Sequence, residues 1–255
     1  DRPAFVEKWD SISIFVKYGI IAEPKFSEKA MDFLLVQNAK GEHFTLKEYV
    51  EKVQPLQTNK DNRTVLIYTN DLVAHDSLIQ SAQQMSYDVL YFDSAIDAHL
   101  MQHLEQKDNN TYFARLDSDS LNNIVLKGDQ PEIPLSSEEQ QALETQFRSI
   151  VPSNSVQIQL QHLSDSDLPI TITRPEYLRR VRDMSFANPN SEEMSRFAEY
   201  YNVVLNTNHP TVAQLAQNPS EEQARYLYQL ACLQQNMLKG QDLTDFIKKS
   251  VAMMK

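Results

Sequence analysis

The hydrophobic period of the chain changes from extended to helical and back within residues 62–116, and this alternation restricts the fold more than any other feature. Residues 64–69 are rich in β-branched side chains, residues 77–85 have helical spacing, and residues 89–92 are extended again. A second helix at about 95–106 and an extended piece at 112–116 follow. The pattern predicts a small α/β layer whose parallel strands are joined by right-handed crossovers.

The residues before this layer have helical spacing. Apolar side chains recur in residues 4–53 with breaks at Pro24 and Gly41, which predicts short helices. Thr45 followed by Glu48 has the form of a capping box, so a helix is expected to begin there.

A linker is expected at residues 126–135, where one glycine and two prolines lie among charged residues. Ser136 with Glu139 then predicts a capped helix to about residue 150. Apolar and polar residues alternate in 156–160 and again in 170–172, which predicts an antiparallel hairpin. Residues 200–206 also look extended.

The fold class predicted from these segments is mixed, α+β together with α/β. Residues 1–57 form a short helical coil and residues 62–125 a small α/β unit. Residues 136–255 form an α+β C-terminal domain that ends in a dimerising pair of helices.

The last two helices carry more apolar surface than the remaining chain could cover. One is capped by Ser220 and runs to about residue 238, ending at Gly240, and the other begins at about Asp242. A second copy of the chain would supply the missing layer in a four-helix, two-fold interface. The alternative is that both helices complete a monomeric core. The candidate interface residues are Leu227, Leu230, Leu233, Met237, Leu243, Phe246, Ile247 and Val251.

Composition excludes several classes of function. A net charge of −11 makes nucleic acid and anionic membrane surfaces unfavourable partners. Only four glycines occur, so no phosphate loop or dinucleotide fingerprint can be assembled. The single cysteine, Cys232, suggests a reducing compartment, and the first residues lack an initiator Met and signal-peptide features, so the chain is expected to begin within a longer protein.

No complete catalytic or metal centre is indicated. His99 and His103 are spaced i, i+4, but no Glu completes a metalloprotease motif, so a surface pair explains them better. The one basic patch lies in residues 174–182, where a helix with a Thr173 and Glu176 cap would carry an arginine face and a Met and aromatic face. Such a helix could bind exposed apolar segments of partners, or it could pack on its own hairpin with solvated arginines.

Six segments in order resemble the heat shock protein 90 family, in particular the bacterial HtpG type. They are residues 15–20 (Phe-Val-Lys-Tyr-Gly-Ile), 45–53 with Tyr49, 65–69, 87–90 (Tyr-Asp-Val-Leu), 96–97 (Ile-Asp) and 206–210 (Asn-Thr-Asn-His-Pro). The resemblance implies that residues 1–125 are the later part of a middle domain. It also implies that the rest is a C-terminal dimerisation domain.

The resemblance further implies a stress-response chaperone of the cytoplasm that binds non-native client proteins. Its ATP and Mg site belongs to an N-terminal domain, so this part would hold no cofactor and would not be an enzyme. The implied client-binding residues are Tyr177, Leu178, Val181, Met184 and Phe186. A second implied client position falls at Ala98, His99 and Gln102, where this chain has His99 at a position at which relatives can carry a Trp.

Three hypotheses follow. The first is a chaperone fragment that forms a homodimer and binds clients without nucleic acid or membrane partners. The second is a dimerisation scaffold without client contacts, and the third is a small-molecule enzyme that uses the α/β layer. The missing glycine loop and nucleophile disfavour the third.

Overall fold

The chain forms two compact units in a computed structural model, which describes residues 2–151, 155–165, 167–178, 180 and 200–254. The first unit holds the described residues up to Asp129 together with residues 176–178 and 180. The second unit begins at Gln130 and holds the other described residues. The division falls inside the expected linker at 126–135, while the assignment of the units to domains of a longer parent stays a prediction.

The first unit opens with two helices, α1 (Arg2–Ala22) and α2 (Pro24–Ala30). Pro24 begins α2, which agrees with the predicted break. The expectation of only short helices is wrong for α1, which has 21 residues. The sequence between Arg2 and Ala22 has no glycine before Gly19 and only Pro3 in the first turn, where proline is tolerated, so nothing interrupts the helix.

A hairpin occupies residues for which helical spacing was expected. It consists of β1 (Leu35–Asn38) and β2 (His43–Thr45). The Asn38 side chain accepts hydrogen bonds from the N–H groups of Lys40 and Glu42, and Gly41 has a φ of 81°. These turn residues favour a hairpin over the helix that the apolar spacing predicts. The Asn38 side chain bonds nearby backbone N–H groups, and Gly41 adopts a left-handed conformation, so the chain closes a tight turn.

The α/β layer has the predicted order. Its elements are α3 (Leu46–Val53), β3 (Thr64–Thr69), α4 (Asp76–Gln84), β4 (Leu90–Tyr91), α5 (Asp97–Lys107), β5 (Thr111–Arg115) and α6 (Leu121–Ile124). The strand order is β2-β1-β4-β3-β5, and β3 is parallel to both β4 and β5. α4 packs on one face of the sheet and α5 on the other, so β5 is an edge strand covered on both faces.

Two of the predicted capping boxes, at Thr45 and Ser136, are present. Thr45 Oγ1 accepts the Glu48 N–H while the Glu48 carboxylate accepts the Thr45 N–H, which starts α3. Ser136 and Glu139 make the same reciprocal pair at the start of α7 (Ser137–Ile150). Each box satisfies two N–H groups that a helix start would leave without an intrahelical partner.

The sheet of the second unit differs from the predicted hairpin. Its strands are β6 (Val156–Gln161), β7 (Ile170–Thr173) and β8 (Tyr201–Asn206), in the order β6-β8-β7. β8 is parallel to β6 and antiparallel to β7, so the expected pairing of β6 with β7 is wrong. All six residues of β8 are buried, whereas β6 exposes Gln157, and the strand without a solvent side takes the centre.

Three helices complete the second unit: α8 (Pro210–Gln217), α9 (Glu221–Gln234) and α10 (Gly240–Ala252). The expectation that α9 runs to about residue 238 and ends at Gly240 is wrong. Asn236, with a φ of 52°, provides the left-handed residue after α9, and the Met237 N–H closes back on the Cys232 carbonyl. Gly240, with a φ of 58°, begins α10 instead.

The predicted mixed fold class is confirmed by these helices and two mixed sheets. Among the described helices, none combines the length and the apolar character that crossing a membrane requires.

Candidate partner-binding surfaces

The sequence places the apolar side chains of α9 in two stripes, and these have different surroundings in the structure. One stripe lies in the core of the second unit and includes Ala224, Tyr228 and Ala231. The other leaves Leu230 and Leu233 each 40% exposed. α9 is therefore held by its own unit on one side and presents leucines to solvent on the other.

The last helix adds to this exposed apolar surface. Ile247 and Val251 of α10 are each 53% exposed, and Met253 and Met254 follow them at the end of the helix. Such a row of large apolar side chains is typical of an interface. We call the four side chains Leu230, Leu233, Ile247 and Val251 the C-terminal apolar surface.

The remaining candidate interface residues are less accessible. Phe246 is only 5% exposed and stacks on Tyr226, with ring centroids 5.2 Å apart. Leu227, Met237 and Leu243 are half-buried. Phe246 thus fastens α10 to α9 within one chain, and the accessible part of the candidate interface is the C-terminal apolar surface.

A pair of tyrosines fixes α9 to the sheet beneath it. The hydroxyl groups of Tyr201 in β8 and Tyr228 in α9 lie 2.6 Å apart and are buried. Burial raises the pKa of both phenols, and it raises the pKa of the Cys232 thiol one turn further along α9. Cys232 is buried and kept protonated, so it acts as a small core side chain.

The candidate client-binding residues fall partly outside the described residues. Tyr177 is 75% exposed and Leu178 is half-buried, both in a helical stretch. Val181, Met184 and Phe186 lie outside the described residues. Among the described residues of this stretch, Tyr177 is therefore the accessible apolar side chain.

The predicted cap of this stretch is not formed. Thr173 is the last residue of β7, and its buried Oγ1 has no hydrogen-bond partner among the described residues. The Glu176 carboxylate accepts hydrogen bonds from the Tyr68 hydroxyl at 3.0 Å and the Arg115 N–H at 2.9 Å. Glu176 therefore bonds the α/β layer of the first unit. These two hydrogen bonds replace the helix cap that the local sequence predicts.

The alternative in which the arginines of this stretch are solvated is wrong for Arg180. Its guanidinium donates to both Glu105 and Glu176, and its side chain is only 16% exposed. The i, i+4 spacing of Glu176 and Arg180 was a signal for part of this arrangement. Glu105 lies 75 residues earlier, so no local pattern could have indicated it.

The second candidate client position lies on α5. His99 and Gln102 are exposed, and Ala98 is half-buried. His103 is directed to Ser27, with Nε2 3.3 Å from Oγ, and burial together with nearby Lys107 lowers its pKa. Across the residues that the structure describes, no group of three or more His, Cys, Asp or Glu side chains could hold a metal ion.

The carboxyl ends of β3 and β4 frame a cavity of about 350 Å³, where the α/β layer would bind a small molecule. Of its three charged lining residues, Arg115 pairs with Asp117 and Asp97 pairs with Lys17, while Asp93 accepts a hydrogen bond from the Tyr91 hydroxyl at 3.2 Å. Nearby, Thr69 Oγ1 lies 2.7 Å from His75 Nδ1, but Thr69 is fully buried. A hydroxyl that no substrate can reach is not a nucleophile, so this arrangement does not support the enzyme hypothesis.

The described residues thus form an α/β layer followed by an α+β unit whose last two helices expose large apolar side chains. The model of the family described as Hsp90 protein matches residues 1–255. The chain therefore belongs to the Hsp90 family.

Three relatives illustrate the match. The chain is 35% identical over 224 residues to the chaperone protein HtpG of Porphyromonas gingivalis, covering 87% of this chain and 33% of that protein. It is 32% identical over 240 residues to HtpG of Bacteroides thetaiotaomicron, covering 93% and 35%. It is 31% identical over 225 residues to HtpG of Bacteroides fragilis, covering 87% and 33%. The chain spans about a third of the length of these relatives.

Proposed function

We propose that this chain is the dimerising and client-binding part of a cytoplasmic, HtpG-type chaperone. The relatives are named chaperones, and the chain matches a third of their length. Two copies associate through the C-terminal apolar surface, and non-native proteins bind at the surface around Tyr177. ATP and Mg bind to another part of the longer protein to which this chain belongs. ATP hydrolysis there drives the chaperone cycle.

The observation that carries the proposal is the exposed apolar row on α9 and α10. Leu230, Leu233, Ile247 and Val251 face solvent, while Phe246 beside them is buried within the chain. Phe246 already fastens α10 to α9, so within the described part of the chain the exposed row is not needed to hold these two helices together. A second copy that covers it would remove large apolar side chains from water.

Client binding rests on the chemistry of Tyr177 and its surroundings. Tyr177 offers a large, rigid, amphipathic ring to solvent, and Leu178 contributes a half-buried apolar side chain beside it. An aromatic ring of this kind binds apolar segments of many sequences at low cost in conformational entropy. Weak and sequence-tolerant binding is what a chaperone surface requires.

The test measures binding of fluorescently labelled, reduced and carboxymethylated α-lactalbumin, a permanently non-native protein, by anisotropy. Tyr177→Ser is expected to weaken binding about fivefold, because about 1 kcal/mol of apolar burial is lost. The matched control is Tyr18→Ser in α1, where the ring is 64% exposed but lies elsewhere in the first unit. Equal weakening by both variants would show that the surface around Tyr177 is the wrong one.

A dimerisation scaffold without client contacts is the second candidate. Among the described residues, the stretch around Tyr177 exposes one large apolar side chain, whereas α9 and α10 expose Leu230, Leu233, Ile247 and Val251. The same titration separates the two candidates. A wild-type chain that dimerises but gives no saturable anisotropy change with the non-native protein is a scaffold.

A further inference from the structure

The edge strand β5 has its outward backbone groups bonded by charged side chains instead of by another strand. Arg63 donates to the Thr111 carbonyl at 3.1 Å, and Glu105 accepts the Phe113 N–H at 2.6 Å. Open edges invite pairing with foreign strands, and charged side chains are one way in which proteins prevent it. Two of the side chains on this edge come from the stretch around Tyr177.

Glu176 occupies one end of the edge. Its Oε2 accepts the Arg115 N–H at 2.9 Å, and its Oε1 accepts the Tyr68 hydroxyl at 3.0 Å. Hydrogen bonds to an ionised carboxylate are stronger than those between neutral groups. Glu176 is thereby fixed to both β5 and β3.

Arg180 occupies the middle of the edge and makes four hydrogen bonds. Nη1 and Nη2 donate to Glu105 at 2.6 and 2.9 Å, Nε donates to Glu176 at 2.7 Å, and Nη2 also donates to the Phe113 carbonyl at 2.7 Å. The fork of the guanidinium therefore joins α5, β5 and Glu176 at once. We call Glu105, Glu176 and Arg180 the edge latch.

The three members of the latch depend on one another. The Glu105, Glu176 and Arg180 side chains are 19%, 21% and 16% exposed, so water screens them little. Removing Arg180 would take away the guanidinium that Glu105 and Glu176 share, and breaking a sheltered pair in this way is unfavourable. The three groups should therefore form and open together.

The direction of the side chains connects the latch to the client surface. Glu176 and Arg180 are four residues apart and lie on one side of the helical stretch, where both bond the first unit. Tyr177, the next residue after Glu176, is left exposed. A latch on one side of the stretch thus determines which residue faces solvent on the other.

We propose that Glu105, Glu176 and Arg180 are positioning residues that hold the client-binding stretch on the β5 edge, so that Tyr177 is presented to client proteins. This inference rests on the proposed function, since it concerns the same surface. An open latch leaves the stretch without its anchor, and client binding then incurs the entropic cost of ordering it.

The test compares Arg180→Met, which keeps the apolar stem of the side chain, with the matched control Arg63→Met. The control removes a different side chain that bonds the outward edge of β5. Two readouts are needed: amide hydrogen exchange at Arg115, and the affinity for reduced and carboxymethylated α-lactalbumin. Arg180→Met is expected to speed exchange at Arg115 at least tenfold and to weaken binding about fivefold, while Arg63→Met changes both by less than twofold.

A milder variant covers the case in which Arg180→Met does not fold. Glu105→Gln keeps an acceptor for the Phe113 N–H and loses one charge of the latch, so it is expected to shift both readouts in the same direction by a smaller factor. Unchanged exchange at Arg115 in the folded variants, or faster exchange with wild-type affinity, would overturn the inference and leave the proposed function standing. Failure of the wild-type chain to bind the probe would instead overturn the proposed function.

Discussion

Lys17 Nζ lies 2.6 Å from Asp97 Oδ1, and this buried ion pair joins α1 to the start of α5 in the first unit. Asp97 also accepts the Ser94 N–H at 3.0 Å through its other oxygen. Burial raises the pKa of Asp97, and the attraction of Lys17 only partly offsets that effect. The pair therefore exists at a desolvation cost, and each charge depends on the other.

We expect Lys17→Met to reduce the free energy of unfolding by about 3 kcal/mol, because it leaves a buried carboxylate without its cation. The double variant Lys17→Met with Asp97→Asn should recover most of that loss, since neither charge remains. Urea unfolding followed by Trp9 fluorescence measures both, as Trp9 is the single tryptophan and lies in the same core.

The exposed pair of Arg2 and Glu48 is the control, and Arg2→Met should cost far less than Lys17→Met because solvent screens that pair. The double variant could instead lose as much free energy of unfolding as Lys17→Met and Asp97→Asn lose together. The two charges would then act independently, which would contradict their mutual dependence.

The tyrosine pair predicts a loss of stability at high pH. Burial raises the pKa of Tyr201 and Tyr228 in the folded chain, so the folded chain keeps protons that the unfolded chain releases above about pH 10. The stabilisation is complete below about pH 10 and is lost as the pH rises further, by at most about 1.4 kcal/mol per pH unit for each phenol.

Urea unfolding at a series of pH values, with tyrosinate absorbance at 295 nm, measures this dependence. Tyr228→Phe removes one of the two groups, so it should make the decline above pH 10 shallower, whereas Tyr18→Phe at an exposed position should leave it unchanged. A Tyr228→Phe chain with the wild-type slope would contradict the assignment.

The C-terminal apolar surface predicts a homodimer. Leu230→Asp would place a charge without a partner in the interface, so we expect the dimer dissociation constant to rise by about a hundredfold or more. Sedimentation velocity at micromolar concentration measures it. Val73→Asp, at a strongly exposed apolar position in the first unit, should leave the dimer intact.

Phe246→Ala separates core from interface on the same helix. Because Phe246 is buried against Tyr226, its truncation should reduce the free energy of unfolding by about 3–5 kcal/mol, whereas truncation of the exposed Ile247 should cost about 0.5 kcal/mol or less. A wild-type chain that sediments as a monomer would contradict the dimer itself.

We expect this chain neither to bind nor to hydrolyse ATP, because four scattered glycines cannot form a phosphate loop. Calorimetric titration with Mg-ATP should give only the heat of dilution. Saturable heat would contradict this expectation, and an Asn70→Ala variant would then test whether the cavity at the ends of β3 and β4 is responsible.

The sequence by itself determined the local elements of this protein. The β-branched run became β3, and the pairs Thr45 with Glu48 and Ser136 with Glu139 became helix starts. The two stripes of α9 also separated into a core face and an exposed face. These features depend on residues within one or two turns of each other, so their spacing carries the information.

Only the tertiary structure decided which distant segments meet. β8 lies between β6 and β7, although β6 and β7 are closer to each other in sequence. A strand whose side chains are buried on both faces is most stable at the centre of a sheet. Glu176 accepts the Arg115 N–H and does not cap a helix, and Arg180 bonds Glu105, which lies 75 residues earlier in the sequence. Such pairings depend on which side chains are buried and on the need of buried polar groups for hydrogen-bond partners anywhere in the unit. The spacing of residues in a local segment does not contain this information.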